Sequence, residues 1–352
     1  MNEEPLAQRF GVYLFDLDGV LYAGSKPIPG APEQLARLRE TGAAIGYVTN
    51  NAARTPSEVA EKLSTLDIPA TPSQVVTSAQ AAAAMLAAEF PAGTRILVIG
   101  GAGLTQAVSE RGLTPVYQAD DGPEAVVQGF HPDLGWRALA EGAYAVAGGA
   151  RWIATNTDRT LPTDHGFAPG NGALVETIVI ATDRRPSIAG KPERPVFDEA
   201  LARLGTVRSA ELAVPARTIC SAEPDAGDAG RTALVIGDRL DTDIAGARNA
   251  GLSSLLVLTG VTGLRDLVDA PRQHRPSYVA CDLAGLFRPY RAPRPDGEGV
   301  RCGGWLAELD DRRIRVTGAG PPDEAVRALV GLAWRHADPK TLDFDLVADA
   351  GQ

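Results

Sequence analysis

The chain has 352 residues, 44% hydrophobic and 22% charged, with a net charge of −10. That length allows two or three domains with a sizeable core, and the acidic balance argues against nucleic acid or an anionic membrane as partner. The three cysteines, Cys220, Cys281 and Cys302, are widely spaced with no CxxC pair, which excludes a disulfide framework or a cysteine zinc site and fits a reducing compartment.

The opening MNEEPLAQRF is acidic and lacks an apolar export segment, so a cytoplasmic location is expected. GVYLFDLD (11–18) reads as a buried strand and PGAPEQLARLRE (29–40) as a helix. The same alternation continues with AAIGYVTN (43–50) as strand, TPSEVAEKLSTL (55–66) as helix and RILVIGG (95–101) as strand. AGLTQAVSER, RWIATN, RPVFDEALARLG, TALVIGD, DIAGARNAG and SSLLVLTG extend it to residue 260. Such alternation predicts α/β layering around a mostly parallel sheet. AQAAAAMLAAEF (79–90) is too short to span a bilayer and reads as a packed helix. ILVIGGAGLTQ fails as a dinucleotide fingerprint, because Gln106 stands at the third glycine position.

Two segments break the rhythm. Residues 205–231 end in a Gly/Asp/Pro-rich stretch that reads as a loop or insertion, and RPYRAPRPDGEG (288–299) reads as a linker. Beyond it, VRCGGWLAELDDRRIRVTG predicts a hairpin turning at DDRR, then a helix over PPDEAVRALVGLAWRHA and a strand over TLDFDLVA. This ββαβ unit is too small for an independent core and is expected to pack on the main body.

In parallel sheets ligands sit beyond the carboxyl ends of strands. Three strand ends carry polar residues here, Asp16 and Asp18, Thr49 to Asn51, and Asp238. If those strands are neighbours, the groups converge on one crevice. Carboxylates at a buried strand's end require an offset, and a divalent cation such as Mg²⁺ supplies it. Asp16, Asp238 and a main-chain carbonyl of the first loop are the candidate ligands, with Asp243 holding a water of the metal and Asp241 read as solvated. A metal-bound Asp16 stays ionised and is fit to be a nucleophile, while Asp18, off the metal by its side chain, serves as proton donor. Thr49 offers a hydroxyl, Asn50 or the local main chain offers N–H donors, and Lys191 in GKPE adds a point charge suited to phosphate. Singly, each has a plainer reading: a turn, a strand exit, a surface lysine, a helix cap. Together they form the kit that phosphoryl transfer needs.

FDLDGVL, VTNN, GKP and GDRLDTD resemble, in order, the four motifs of the haloacid dehalogenase (HAD) superfamily of phosphohydrolases, over residues 10 to 287. The resemblance implies that Asp16 forms an aspartyl-phosphate. It makes Asp18 the general acid and then base, giving Mg²⁺ its main-chain carbonyl. Thr49, Asn50 and Asn51 would bind phosphate, Lys191 would steady phosphate and nucleophile, and Asp238 would complete the metal site with Asp243 supporting it.

Only residues 19–48 separate Asp18 from Thr49, whereas Asn51 to Lys191 leaves room for an inserted cap. That layout, with RWIATNTD and GFAPGNGALVE, is similar to the branch holding 4-nitrophenylphosphatase, phosphoglycolate phosphatase and pyridoxal phosphatase. The expected fold is α/β: a Rossmann-like HAD core with a parallel sheet (1–76 and 189–287), an inserted α/β cap of the C2 type (77–188), the linker 288–299 and a small α+β C-terminal unit (300–352). A capped site implies small phosphomonoesters as substrates. The insertion and tail resemble bacterial glycerol-3-phosphate phosphatases of this branch, which puts glycerol 3-phosphate first. The alternatives are phosphoglycolate, pyridoxal phosphate or sugar phosphates, a phosphomutase using the same acids, and, from another class, a catalytically idle metabolite-binding protein. A dehalogenase has no use for Asp18. Caps of this type carry dimer contacts, so a homodimer through the cap is expected by resemblance.

RVTGAG (Arg315–Gly320) before a helix matches the R-x-x-G-x-G pattern with which acetyltransferases hold acetyl-CoA pyrophosphate. The tail is too short for that fold, so an acetyltransferase-like fragment is one reading of it and a packing or regulatory module the preferred one. His165, in RTLPTDHG, is read as a solvated loop residue.

Overall fold

The computed structural model describes residues 3–163, 165–205 and 233–348. The insertion read at 205–231, with Cys220, lies outside the described residues apart from Gly205. The chain divides into two compact units, Met1–Ile45 with Ala210–Gln352, and Gly46–Ser209.

In the first unit, strands Tyr278–Ala280, Ser253–Val257, Ala233–Gly237 and Val12–Phe15 lie in that order and run parallel. VYLF and ALVIG are buried at every position, the mark of a parallel sheet covered on both faces. Each of these segments lies in a run expected to be a strand, except Tyr278–Ala280, which the sequence reading did not mark. The helix expected over 29–40 forms as Ala31–Glu40.

The C-terminal residues of this unit build a second, five-stranded sheet in the order Arg294–Asp296, Gly299–Cys302, Trp305–Asp310, Arg313–Gly318, Asp343–Ala348. The first four strands pair antiparallel and the last pairs parallel to its neighbour, reached through helix Pro322–Ala333. The turn falls at DDRR, with Asp310 opposite Arg313 and Asp311 at a φ of 53°. The segment read as a linker contributes the edge strand Arg294–Asp296, where a proline's missing N–H is tolerated.

The tail shares its core with the main body. Val300, Trp305, Ile314, Val316, Leu329 and Trp334 cluster with Leu256, Leu267, Val268 and Val279. A buried polar fastening adds to this. Asp323, fully buried, accepts from Cys281 N at 2.7 Å and from Arg288 Nη1 at 2.5 Å, with Arg327 Nη2 3.8 Å away. Glu324 pairs with Arg291 at 3.1 Å, and Arg327 donates to Arg291 O at 2.8 Å. Removing one member strands a buried charge, so Asp323→Ala is expected to lower unfolding stability by about 3 kcal/mol. Urea titration reads this, and an unchanged midpoint would show that the fastening carries no weight.

The second unit holds an all-parallel sheet in the order Ser187–Ile188, Arg151–Ala154, Ala125–Gln128, Arg95–Ile99, Thr114–Val116. Helices Trp136–Ala147 and Asn171–Thr182 pack on one face, around Leu97, Ile99, Val126, Trp152, Val146 and Ile178. Ala44–Thr49, which starts in the first unit, pairs parallel with Val75–Thr77. The alanine-rich segment forms the helix Ser78–Glu89, most of it buried. After RILVI, Gly103 lets the next helix approach the 52–54 backbone, 2.7 Å from Arg54 O to where a Cβ would stand. That glycine is there for packing. Among the described residues no helix is long and apolar enough to cross a membrane.

Candidate active site

The site residues expected from sequence fall into two sets, one in each unit. In the first, the buried strand Val12–Phe15 ends at Asp16, whose N–H donates to Ile236 O at 2.8 Å. The chain then turns back: Gly19 adopts a φ of 81°, its N–H donates to Tyr22 O, and Leu21 N and Tyr22 N both donate to Leu17 O. Asp18 sits exposed on this turn, at a bridge with Tyr22.

Asp238 follows the strand Ala233–Gly237 directly and is 1% exposed, as is Asp243. Asp243 is brought back by a π-helical turn, Leu240–Ile244, and its Oδ2 accepts from Arg239 N at 3.1 Å. Single π-turns gather at functional sites because they re-aim one side chain. Carboxylate oxygens of Asp16, Asp238 and Asp243 lie within 4.8 Å of one another. Like charges buried this closely are costly without a cation among them, and an all-oxygen donor set suits a hard divalent ion. The residues fit magnesium. Asp241 is exposed, as expected of a solvated acid, and pairs with Arg239 at 3.0 Å. Burial pushes its carboxyl up, but the Arg239 hydrogen bond and charge together bring it below the ordinary aspartate value.

A loop not marked as functional in the sequence fixes this cluster. Thr259 Oγ1 donates to Gly19 O at 2.6 Å, Val261 N donates to Asp238 Oδ2 at 2.6 Å, and Thr262 N donates to Asp238 O at 3.1 Å. A Cβ on Gly260 would stand 2.0 Å from Asp238 Oδ2. The signal was present, since Thr259 also follows a predicted strand, SSLLVL, at its carboxyl end.

In the second unit, Thr49 ends the strand Ala44–Thr49, and its Oγ1 accepts from Asn51 N at 3.1 Å, which leaves the hydroxyl proton to be donated elsewhere. The Asn50 side chain is spent on Lys191. Its Oδ1 accepts from Lys191 N at 2.8 Å, and its Nδ2 donates to Lys191 O at 3.0 Å and to Asp158 Oδ2 at 3.2 Å. Asn51 Oδ1 accepts from Ala53 N and Arg54 N and closes the local turn. Lys191 is 4% exposed, with Nζ donating to Val48 O at 3.3 Å. Asn156 Nδ2 and Ser78 Oγ brace Asn50 O from either side, a role the sequence reading did not give them. His165 is exposed beside the hairpin Thr160–Thr163 and Gly166–Pro169.

RVTGAG does not present a phosphate cradle. Its helix opens on Pro321 and Pro322, which have no N–H, and carries the buried carboxylates Asp323 and Glu324 in its first turn.

Residues 13–114 match the haloacid dehalogenase-like hydrolases, and residues 188–286 match the HAD-hydrolase-like family. The D-glycerol 3-phosphate phosphatase of Mycobacterium tuberculosis is 39% identical over 95% of this chain and 89% of its own length. This chain belongs to the haloacid dehalogenase-like hydrolases. A 5′-nucleotidase of Bacillus subtilis is 37% identical over 73% of this HAD chain and 90% of its own. The crystal structure of the M. tuberculosis glycerol phosphate phosphatase in complex with magnesium matches with a TM-score of 0.79 and 37% identity, over 99% of this chain and 96% of that one. A 4-nitrophenylphosphatase from Thermotoga maritima gives 0.68 and 28%, over 80% and 97%.

Proposed function

We propose that this chain is a magnesium-dependent phosphatase of small phosphomonoesters, with glycerol 3-phosphate as its first substrate. The observation that carries the reading is the carboxylate cluster of Asp16, Asp238 and Asp243 behind a turn that presents Asp18. The substrate is supported by likeness to the glycerol phosphate phosphatase over nearly the whole chain, tail included, where the nucleotidase covers 73%.

Asp16 attacks phosphorus through a carboxylate oxygen. The ester P–O bond breaks as Asp18 gives its proton to the departing alkoxide. Water then attacks the aspartyl-phosphate, Asp18 takes the proton, and inorganic phosphate leaves with Asp16 restored. The Thr49 hydroxyl and Lys191 ammonium receive phosphoryl oxygens, and Asn50 positions Lys191 by gripping its main chain. Asp16, Asp238 and the main-chain carbonyl of Asp18 are the ligands assigned to magnesium, with Asp243 beside them. When bound, the ion supplies positive charge that offsets both the carboxylates and the phosphoryl oxygens.

Residues 77–188 form the cap in this reading, residues 1–76 with 189–287 the core. The location is cytoplasmic, and the enzyme is a homodimer through the cap, supported by the exposure of Trp136, Phe167 and Ile180. Light scattering that returns a monomer mass at micromolar concentration would refute the dimer.

Phosphate release from glycerol 3-phosphate, 2-phosphoglycolate, pyridoxal 5′-phosphate, a 5′-nucleotide and 4-nitrophenyl phosphate, with Mg²⁺ and with chelator, tests the function. Magnesium-dependent turnover led by glycerol 3-phosphate is the expected result. No turnover on any member by a folded chain would overturn the reading.

A further inference from the structure

The seam between the tail and the rest of the first unit plays no part in the reaction above. Between residues 269–275 and residues 334–340 it opens into a cleft of about 380 Å³, within the size range of small-ligand sites. Its walls are cross-linked. Arg275 donates to Ala270 O at 3.1 Å and to Trp334 O at 3.2 Å, and its guanidinium lies 5.0 Å from the centre of the Trp334 ring. Trp334 Nε1 donates to Leu267 O at 3.1 Å, and Arg265 donates to Leu342 O at 2.6 Å and Pro339 O at 3.2 Å. Pro271 and Pro339 stiffen the two lips. Walls held this way need little ordering when a ligand arrives.

The cleft carries an excess of positive charge. Arg272, Arg275 and Lys340 line it against Asp269 and Asp338. Asp269 is already ion-paired with Arg265, which leaves Asp338 as the one opposing carboxylate whose charge is not matched there. Arg272 and Lys340 are exposed, and among the described residues neither has a carboxylate partner. An excess of positive charge stands out on a chain whose net charge is −10. A guanidinium fork and an ammonium point charge lining one cleft suit a compact tetrahedral dianion better than a single carboxylate.

We propose that this cleft binds a small phosphate-bearing anion, with Arg272 and Lys340 as its charged contacts, and that the C-terminal unit is there to complete it. The site is separate from the carboxylate cluster, and its test does not depend on turnover.

Equilibrium dialysis of the full chain against labelled inorganic phosphate, at about 0.15 M ionic strength to screen loose ion pairing, counts phosphates held per chain. The wild type is expected to hold one more than the Arg272→Gln/Lys340→Gln pair, in which binding at the cleft weakens by roughly tenfold or more. Both side chains are exposed, so the pair folds, and its KM for the phosphomonoester stays that of wild type. Acetate at the same concentration leaves the extra phosphate in place. Equal counts in wild type and the pair, whatever the number, overturn the proposal. So does acetate displacing the extra phosphate as well as unlabelled phosphate does, because that is general charge screening.

Discussion

Asp16→Asn is expected to lower phosphate release by about 10⁴-fold or more, since an amide cannot form the acyl-phosphate and side-chain volume is unchanged. The same substitution carries a second, independent sign. It removes one of three carboxylates lying within 4.8 Å of one another, so repulsion in the metal-free protein falls. In chelator the variant should therefore melt above wild type, by about 1–2 °C per kcal/mol for a chain of 352 residues. Adding Mg²⁺ should stabilise it less than it stabilises wild type. Thermal melts with and without the ion read both effects. A variant that loses turnover but melts below wild type in chelator would mean that Asp16 is a structural carboxylate and that the cluster is not strained by charge. Asp18→Asn separates the two acids. With 4-nitrophenyl phosphate, whose leaving group needs no proton, the first step should survive as a burst of nitrophenolate, while glycerol 3-phosphate gives none.

The sequence made Asp16 and Asp238 legible because each follows a run of consecutive apolar residues. VYLF and ALVIG have no polar face, so a carboxylate directly after them stands at the end of a buried strand. The same logic found Thr49. It did not find what holds these groups in place, because that rests on contacts with no local pattern. Thr259 reaches a carbonyl 240 residues earlier in the chain, and Asn50 grips a main chain 141 residues later. An asparagine beside a candidate phosphate site reads equally well as an anion donor or as a brace, and only the fold decides which. Asp243 was visible as an acid, but its return beside Asp238 depends on a π-turn that LDTDI does not announce. The short strand inside the linker segment went unmarked for a similar reason. RPYRAPRPDGEG has a loop's composition, yet Arg294–Asp296 needs only backbone pairing along the edge of a sheet, and a proline there gives up no bond.

The Thr259–Thr262 loop therefore carries the second large effect, and Gly260 is its most exacting position. An alanine methyl there would lie 2.0 Å from Asp238 Oδ2, 2.5 Å from Cγ and 2.8 Å from Cβ. The carboxylate has little room to yield, being 1% exposed with Oδ2 held by Val261 N at 2.6 Å. Either the loop moves off, and the Val261 hydrogen bond goes with it, or Asp238 rotates away from Asp16 and Asp243. Both routes spoil the metal site before they spoil the fold, since overpacking costs about 1–3 kcal/mol and the four-strand core lies beneath. Gly260→Ala is expected to weaken Mg²⁺ binding by roughly 10–100-fold, the usual loss when a ligand's support is disturbed, with kcat partly recovered at high Mg²⁺. Thr259→Val removes only the bond to Gly19 O, so it should lower kcat with a smaller change in Mg²⁺ affinity. Calorimetric titration of Mg²⁺ into each folded variant separates the two. Wild-type affinity in Gly260→Ala would show that Asp238 does not hold the ion, and the metal assignment would have to be redrawn around Asp16 and Asp243.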